Sequence, residues 1–202
     1  HVVFASEFVR DRLVEALAAF VGHLRGEGHQ VVRLVRGVAV APDEASWDPD
    51  AARLDPATLA GADAVVDLAG VNAGSRPLTP ARKRAVVGSR LRTTSLLATT
   101  LASHDDLPRV LLQASAVGAY GDRGDEELTE SEPYGHTFFA ELVRRWEAAT
   151  APAEQAGVRV AHLRSAIVLS PHGGALGRLL PLVRRGLGGR MGSGRQFWSW
   201  IT

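Results

Sequence analysis

The strongest constraint on this 202-residue chain is a series of short, almost uninterrupted apolar runs set between stretches of helical periodicity. His1–Ala5, Val31–Val35, Ala64–Gly70 and Arg109–Ala114 read as strands. Successive side chains on a strand point to opposite faces, so Val65-Val66 and Leu111-Leu112 need cover on both sides. The segments between them supply that cover. From Glu7 to Arg25, Val9, Leu13, Leu17, Phe20 and Leu24 recur at three or four residues, the stripe of an amphipathic helix. Thr79-Pro80 starts a second helix, a hydroxyl cap followed by proline at the first helical position. That helix is expected to reach Ser103, with Val87, Leu91, Thr94, Ala98 and Leu101 on one face.

The rest of the chain continues the alternation. Thr137–Ala156 reads as a helix closed by Gly157, Val158–Leu169 as a strand and its exit, and Gly173–Arg185 as a short helix. Gly186–Gly194 is glycine-rich, whereas Pro42–Pro56 (with Trp47 inside it) and Asp122–His136 read as polar loops. Strands separated by helices, about 20 to 30 residues apart, predict an α/β fold with a doubly wound parallel sheet. No internal repeat or linker divides the sequence, so residues 1–202 are expected to form one domain.

Composition excludes several classes of function. With 46% hydrophobic residues the chain can bury a sizeable core, and a net charge of +1 offers no bulk attraction for nucleic acid. The absence of cysteine rules out disulfides and thiolate zinc sites. His1, His23, His29, His104, His136, His162 and His172 are scattered rather than paired at ligand spacing, so no metal site is expected. No apolar run reaches the roughly 18 residues of a membrane span. A cytoplasmic protein with a small-molecule ligand, and with neither nucleic acid nor membrane as partner, is the expectation.

Where that ligand binds is suggested by Val110–Gly121. An apolar strand runs into small residues and ends in Tyr120-Gly121, with hydroxyls leaving at Ser115 and Tyr120. Small residues let backbone approach a flat ligand, and strand ends are where open α/β sheets bind one.

Five segments, in order, carry a resemblance. Asp67-Leu68-Ala69-Gly70, Pro77–Lys83, Ser115–Glu126, Leu169–Leu176 and Gly192–Ile201 together resemble the atypical extended short-chain dehydrogenase/reductase family. Its members are usually labelled NAD-dependent epimerase/dehydratase-like or nucleoside-diphosphate-sugar epimerase-like. The likeness runs from about Gly28 to the end of the chain and implies a Rossmann fold that binds NADP(H). Residues 170–202 then correspond to the start of a substrate-binding part that continues further in relatives. The resemblance also implies homodimer contacts through the helices at 79–103 and 137–156.

The implied site residues follow. Ser115 would orient a reacting oxygen, and Tyr120 or water would handle the proton. Leu68, Ala69, Gly70 and Ser115 would line the cofactor, and Arg195, Gln196 and Trp198 would anchor a polar substrate. Arg36 stands after the second strand, where an acidic residue would hold the ribose 2′-hydroxyl of NAD. An arginine there pairs instead with the 2′-phosphate of NADP, and Arg33 is a second candidate for that role. The basic run Arg82, Lys83, Arg84, Arg90 and Arg92 reads as a solvated helix face.

Two departures set the alternatives. The family's Gly-x-x-Gly-x-x-Gly turn corresponds here to Phe4–Arg12, which has no glycine and carries Glu7 and Asp11. The Tyr-x-x-x-Lys pair of the wider superfamily is replaced in Phe138–Arg144, which holds no tyrosine and no lysine. The first reading is therefore an NADP(H)-dependent oxidoreductase or epimerase-like enzyme acting on a small carbonyl compound or a nucleotide sugar. The competing readings are a dinucleotide-binding regulatory or scaffold protein without turnover, and a chain that has lost cofactor binding with its glycine turn.

Overall fold

The apolar runs become neighbouring strands of one sheet in a computed structural model that describes residues 1–5, 13–74, 76–170, 174–190 and 192–201. In chain order, β1 is Val2–Ala5, α1 Leu13–Gly26, β2 Val31–Arg36, β3 Glu44–Trp47, β4 Ala64–Asp67, α2 Pro80–Ala102 and β5 Val110–Ala116. There follow α3 (Phe138–Ala148), α4 (Ala151–Gln155), β6 (Arg159–Ser165), β7 (Ile167–Val168), α5 (Gly174–Arg184) and β8 (Trp200–Ile201). The main sheet has the order β3-β2-β1-β4-β5-β6. The β3–β2, β2–β1, β1–β4 and β4–β5 pairings are parallel. This is the Rossmann order, and its reversal between β1 and β4 leaves a crevice beyond the C-terminal strand ends.

The alternation of side chains explains the double winding. Val3 and Ala5 of β1 face one core with Leu34, Val65 and Leu111, closed by Leu97 and Leu101 of α2. Val2 and Phe4 face another with Val31 and Val66, closed by Val21 of α1. Burying each such side chain contributes roughly 1.5–3 kcal/mol, so the central strands are stable only while covered on both faces.

The chain divides into two compact units. The first, residues 1–115 with 145–163, contains both cores just described. The second, residues 116–144 with 164–202, has its own cluster of Ala119, Tyr120 and Val143 packed with Leu128 and Tyr134. In that unit β7 pairs in parallel with β8. No described helix is long and apolar enough to cross a membrane.

Several expectations are corrected. Pro42–Pro56 is not all loop, because Glu44–Trp47 pairs with Arg33–Arg36 as the edge strand β3. Trp47 is only 3% exposed, and core burial of its indole outweighs the polar character of the segment. The expected helix over 137–156 breaks at Ala149-Thr150, whose amides turn back to Trp146 O and Glu147 O at 3.2 and 3.1 Å. Pro152, which has no amide to donate, sits in the first turn of the new helix α4. The expected strand over 158–169 stops at Ser165, and Ile167-Val168 pairs elsewhere, with Trp200-Ile201. Of the helix expected from Glu7, residues 6–12 lie outside the described ones, and so do most of the glycine-free turn residues.

Helix α2 begins as its sequence requires. Thr79 Oγ1 accepts from the Arg82 amide at 3.2 Å, and Pro80 takes the first position. Its buried face keeps Thr94, Ala98 and Leu101 of the expected stripe and differs in the rest. Val87 and Leu91 are half-buried, whereas Ser89, Thr93, Thr94 and Thr100 are buried with Val86, Leu97 and Leu101. Hydroxyls can occupy that face because some satisfy themselves locally, as Thr100 Oγ1 does by donating to Leu96 O at 2.8 Å.

Thr79→Ala is expected to lower stability by about 1 kcal/mol in urea unfolding, and Thr79→Ser to restore most of it. A second prediction concerns acid. Asp43 accepts hydrogen bonds from Arg25 and from Arg33 Nε, and the Arg25 bond chiefly holds its carboxyl below the usual range. A depressed folded pKa contributes stability above the unfolded value of about 3.9, lost as pH falls through the folded one. Asp43→Asn should therefore flatten the acid-unfolding profile below about pH 4, at a cost near neutrality of at most about 1 kcal/mol.

Candidate functional site

The exit of β4 is shaped from below by Asp67, which is fully buried. Its Oδ1 accepts from the Ala69 amide at 3.0 Å, which bends Leu68-Ala69-Gly70 away from the strand. Its Oδ2 accepts from Thr94 Oγ1 of α2 at 2.7 Å. Thr94 Oγ1 in turn accepts from the Trp146 indole of α3 at 2.9 Å. Further along the exit, the Val71 amide donates to Ser89 Oγ at 3.1 Å, and Arg90 Nη1 donates to Val71 O at 3.0 Å. Helix α2 thus holds both ends of the turn. Gly70 has a packing reason to lack a side chain, since a Cβ there would meet Arg90 Cζ at 3.0 Å. That same guanidinium lies 4.9 Å from the ring centre of Trp146.

Strand β5 brings Leu111, Gln113 and Ser115 to one buried face. Ser115 Oγ donates to Glu147 Oε1 of α3 at 2.5 Å, with both residues less than a tenth exposed. Glu147 Oε2 lies 4.0 Å from His162 Nδ1, and His162 Nε2 lies 3.2 Å from Thr150 Oγ1. A serine whose one proton points at a carboxylate offers only lone pairs to a ligand. Ser115 is therefore arranged to accept from a hydroxyl rather than to donate to a carbonyl.

At the other side of the crevice, β2 and β3 end at a cleft of about 770 Å³. Arg36, Gly37, Trp47, Asp48, Arg53 and Leu54 contribute to its walls. The Trp47 indole N–H is buried with no hydrogen-bond partner among the described residues. Arg36 Nη1 donates to Asp50 Oδ2 at 2.6 Å. A cleft of this size with a guanidinium at its rim fits the phosphorylated adenosine end of a dinucleotide. Arg33 is turned to other work, bonding Asp43 and Glu44 at 3.2 and 2.9 Å.

Arg36, Leu68, Ala69, Gly70 and Ser115 thus all lie at the C-terminal strand ends of the first unit. The other expected residues belong to the second unit. There Tyr120 packs in the small core, and its hydroxyl accepts from Arg164 Nη1 at 3.1 Å. Arg164 lies between the rings of Tyr120 and Tyr134, 5.2 and 5.1 Å from their centres. Arg195, Gln196 and Trp198 are exposed in the segment before β8, where the Arg195 amide donates to Ser193 Oγ at 3.3 Å.

The basic run on α2 is not simply solvated. Arg82 and Arg90 bond the exit-loop carbonyls of Asn72 and Val71, and Arg92 pairs with Asp50. Asp67, Thr94, Trp146, Glu147 and His162 were not among the expected residues. Val143, Trp146, Glu147 and Thr150 recur at helical spacing, so a carboxylate inside a buried stripe is the signal that marks Glu147.

No protein-family model matches the chain. It is 42% identical over 185 residues to an epimerase family protein of Mycobacterium bovis, covering 92% of this chain and 61% of that protein. Its structure is similar to that of a nucleoside-diphosphate sugar epimerase from Corynebacterium glutamicum, with a TM-score of 0.80 and 38% identity over 99% of this chain and 40% of that one. It is also similar to human epimerase family protein SDR39U1 solved with NADPH, with a TM-score of 0.83 and 32% identity over 100% of this chain and 65% of that one. The chain spans about 61% of the length of the first of these relatives.

Removing the Glu147 carboxylate leaves the buried Ser115 hydroxyl without its acceptor. Glu147→Ala is expected to cost about 2–3 kcal/mol in denaturant unfolding, and Glu147→Gln, which keeps an acceptor oxygen, clearly less.

Proposed function

Because the chain belongs to the atypical extended short-chain dehydrogenase/reductase family, we propose that the crest of its sheet holds NADP(H) for an oxidoreductase or epimerase-like reaction on a small carbonyl compound or nucleotide sugar. The observation that carries this reading is Arg36 at the end of β2, lining a cleft of about 770 Å³ beside Gly37 and Trp47. Arg36 would hold the 2′-phosphate, and Leu68, Ala69 and Gly70 would pass beneath the nicotinamide half. When bound, the nicotinamide supplies a site that takes up or returns hydride.

The chain's own side chains then divide the remaining work. Ser115, its proton engaged by Glu147, would accept a hydrogen bond from a substrate hydroxyl and fix the reacting carbon. Tyr120, whose oxygen accepts from Arg164, keeps its own proton to donate, and it or water would exchange the proton. Arg195, Gln196 and Trp198 would anchor the polar part of the substrate. In this reading residues 1–202 are one nucleotide-binding domain with the beginning of a substrate segment from about residue 170.

One observation favours a second reading, a dinucleotide-binding protein without turnover. The superfamily's lysine would fall near Leu142 and Val143, and both are buried apolar residues with no cation to offer. Turnover on a panel of carbonyl compounds and sugar nucleotides would favour the first reading, and stable binding without turnover the second.

Calorimetric titration tests the shared premise. NADPH is expected to bind at micromolar concentration and NADH more weakly, and an absence of heat up to millimolar NADPH overturns the reading. Arg36→Ala should weaken NADPH about tenfold and leave NADH almost unchanged, the loss expected for one charge-assisted hydrogen bond.

A further inference from the structure

Arg36 shares its carboxylate partner with a second cation. Asp50 receives Arg36 Nη1 on Oδ2 and Arg92 Nε on Oδ1, each at 2.6 Å. One carboxylate therefore gathers guanidiniums from the end of β2 and from the middle of α2. The three groups are between about a quarter and a half exposed, so the cluster faces solvent.

Each side of the cluster has a local setting. Asp50 sits in a turn closed by backbone hydrogen bonds in both directions between Asp48 and Arg53, at 2.8 and 2.9 Å. Asp48 Oδ1 accepts the Asp50 and Ala51 amides at 3.1 Å each, which fixes the turn. Arg92, for its part, lies in a notch. A Cβ on Gly88 would come within 2.7 Å of Arg92 Nη1, so the guanidinium tip lies over the bare backbone of Gly88 and would have to move aside for a side chain there. Gly88 needs no left-handed backbone, and glycine in a helix interior costs roughly 1 kcal/mol relative to alanine.

We propose that Arg92 is the second cation of the phosphate site at the end of β2, and that Asp50 is an internal anion holding Arg36 and Arg92 together until a phosphate monoester replaces it. The inference rests on the reading that this cleft takes NADP(H). Carboxylate and phosphate compete for the same guanidinium donors, and the phosphate brings more charge and a third acceptor oxygen. A dinucleotide lacking the 2′-phosphate has nothing with which to displace Asp50. Arg92 is thereby a specificity residue, and Asp50 sets how strongly an anion must bind to enter.

The test is calorimetry of wild type, Arg92→Ala, Gly88→Ala and Asp50→Asn with NADPH and with NADH, together with the thermal midpoint of each variant. Arg92→Ala should weaken NADPH roughly tenfold and leave NADH unchanged, and Gly88→Ala, which only displaces the guanidinium tip, should weaken NADPH in the same direction by less. Gly88→Ala does so while the helix itself is favoured, so its midpoint should not fall. Asp50→Asn should tighten NADPH alone. Unchanged NADPH-to-NADH ratios in Arg92→Ala and Gly88→Ala, with wild type binding NADPH, overturn the role of Arg92 and leave that of Arg36 standing. Weaker NADPH binding by Asp50→Asn overturns the internal-anion role. No NADPH binding by wild type overturns this inference and the parent reading together. Adenosine 2′,5′-bisphosphate against adenosine 5′-monophosphate should reproduce the same ratios.

Discussion

Buried hydrogen bonds between the strand ends and helices α2 and α3 are the constraint from which the site follows. Asp67, Thr94 and Trp146 form one chain of contacts, and Ser115 with Glu147 forms another. A buried polar group left without a partner costs about 1–3 kcal/mol, so such contacts are met together or not at all. They fix the register of α2 against β4, and with it the path of Leu68-Ala69-Gly70. A purely apolar seam would tolerate sliding by a turn. This one does not, because each donor finds its acceptor in only one register.

The two ends of the crevice are built on opposite electrostatic terms. Around Ser115 the groups are buried, and breaking one pair strands the other partner in low dielectric. Around Arg36 the ion pairs are half-exposed, where a pair contributes at most about 1 kcal/mol and exchanges partners readily. A scaffold wants the first kind of contact. A site that must release one anion to accept another wants the second.

How far the sequence could be read follows from the same physics. Short, nearly continuous apolar runs and the Thr79-Pro80 start identify β1, β2, β4, β5 and α2 within a few residues, because local pattern and tertiary burial agree there. Strand β3 escapes, since Glu44-Ala45-Ser46-Trp47 earns its place through one buried indole and pairing with β2 rather than through pattern. The break in the helix after Ala148 falls just before Pro152, where Ala149 and Thr150 turn their amides back to Trp146 and Glu147, a detail no apolar pattern announces. In the site, Arg36 and the Leu68–Gly70 turn are legible from position after a strand. Glu147 and Asp67 are not, because a carboxylate in an apolar stripe acquires its meaning from partners distant in the chain. The basic run on α2 is solvated at Arg84, but charge alone does not single out Arg82 and Arg90, which bond the exit-loop carbonyls, or Arg92, which pairs with Asp50.

The placement of the indoles has a practical consequence. Trp47 and Trp146, 3% and 5% exposed, lie in the first unit, whereas Trp198 and Trp200, 47% and 58% exposed, lie in the second. Intrinsic emission from this protein is therefore a sum of two spectrally distinct populations, one shielded and blue-shifted, the other accessible to acrylamide. Quenching the accessible pair leaves a signal from Trp47 and Trp146, so the melting of the first unit can be followed without labels or mutations.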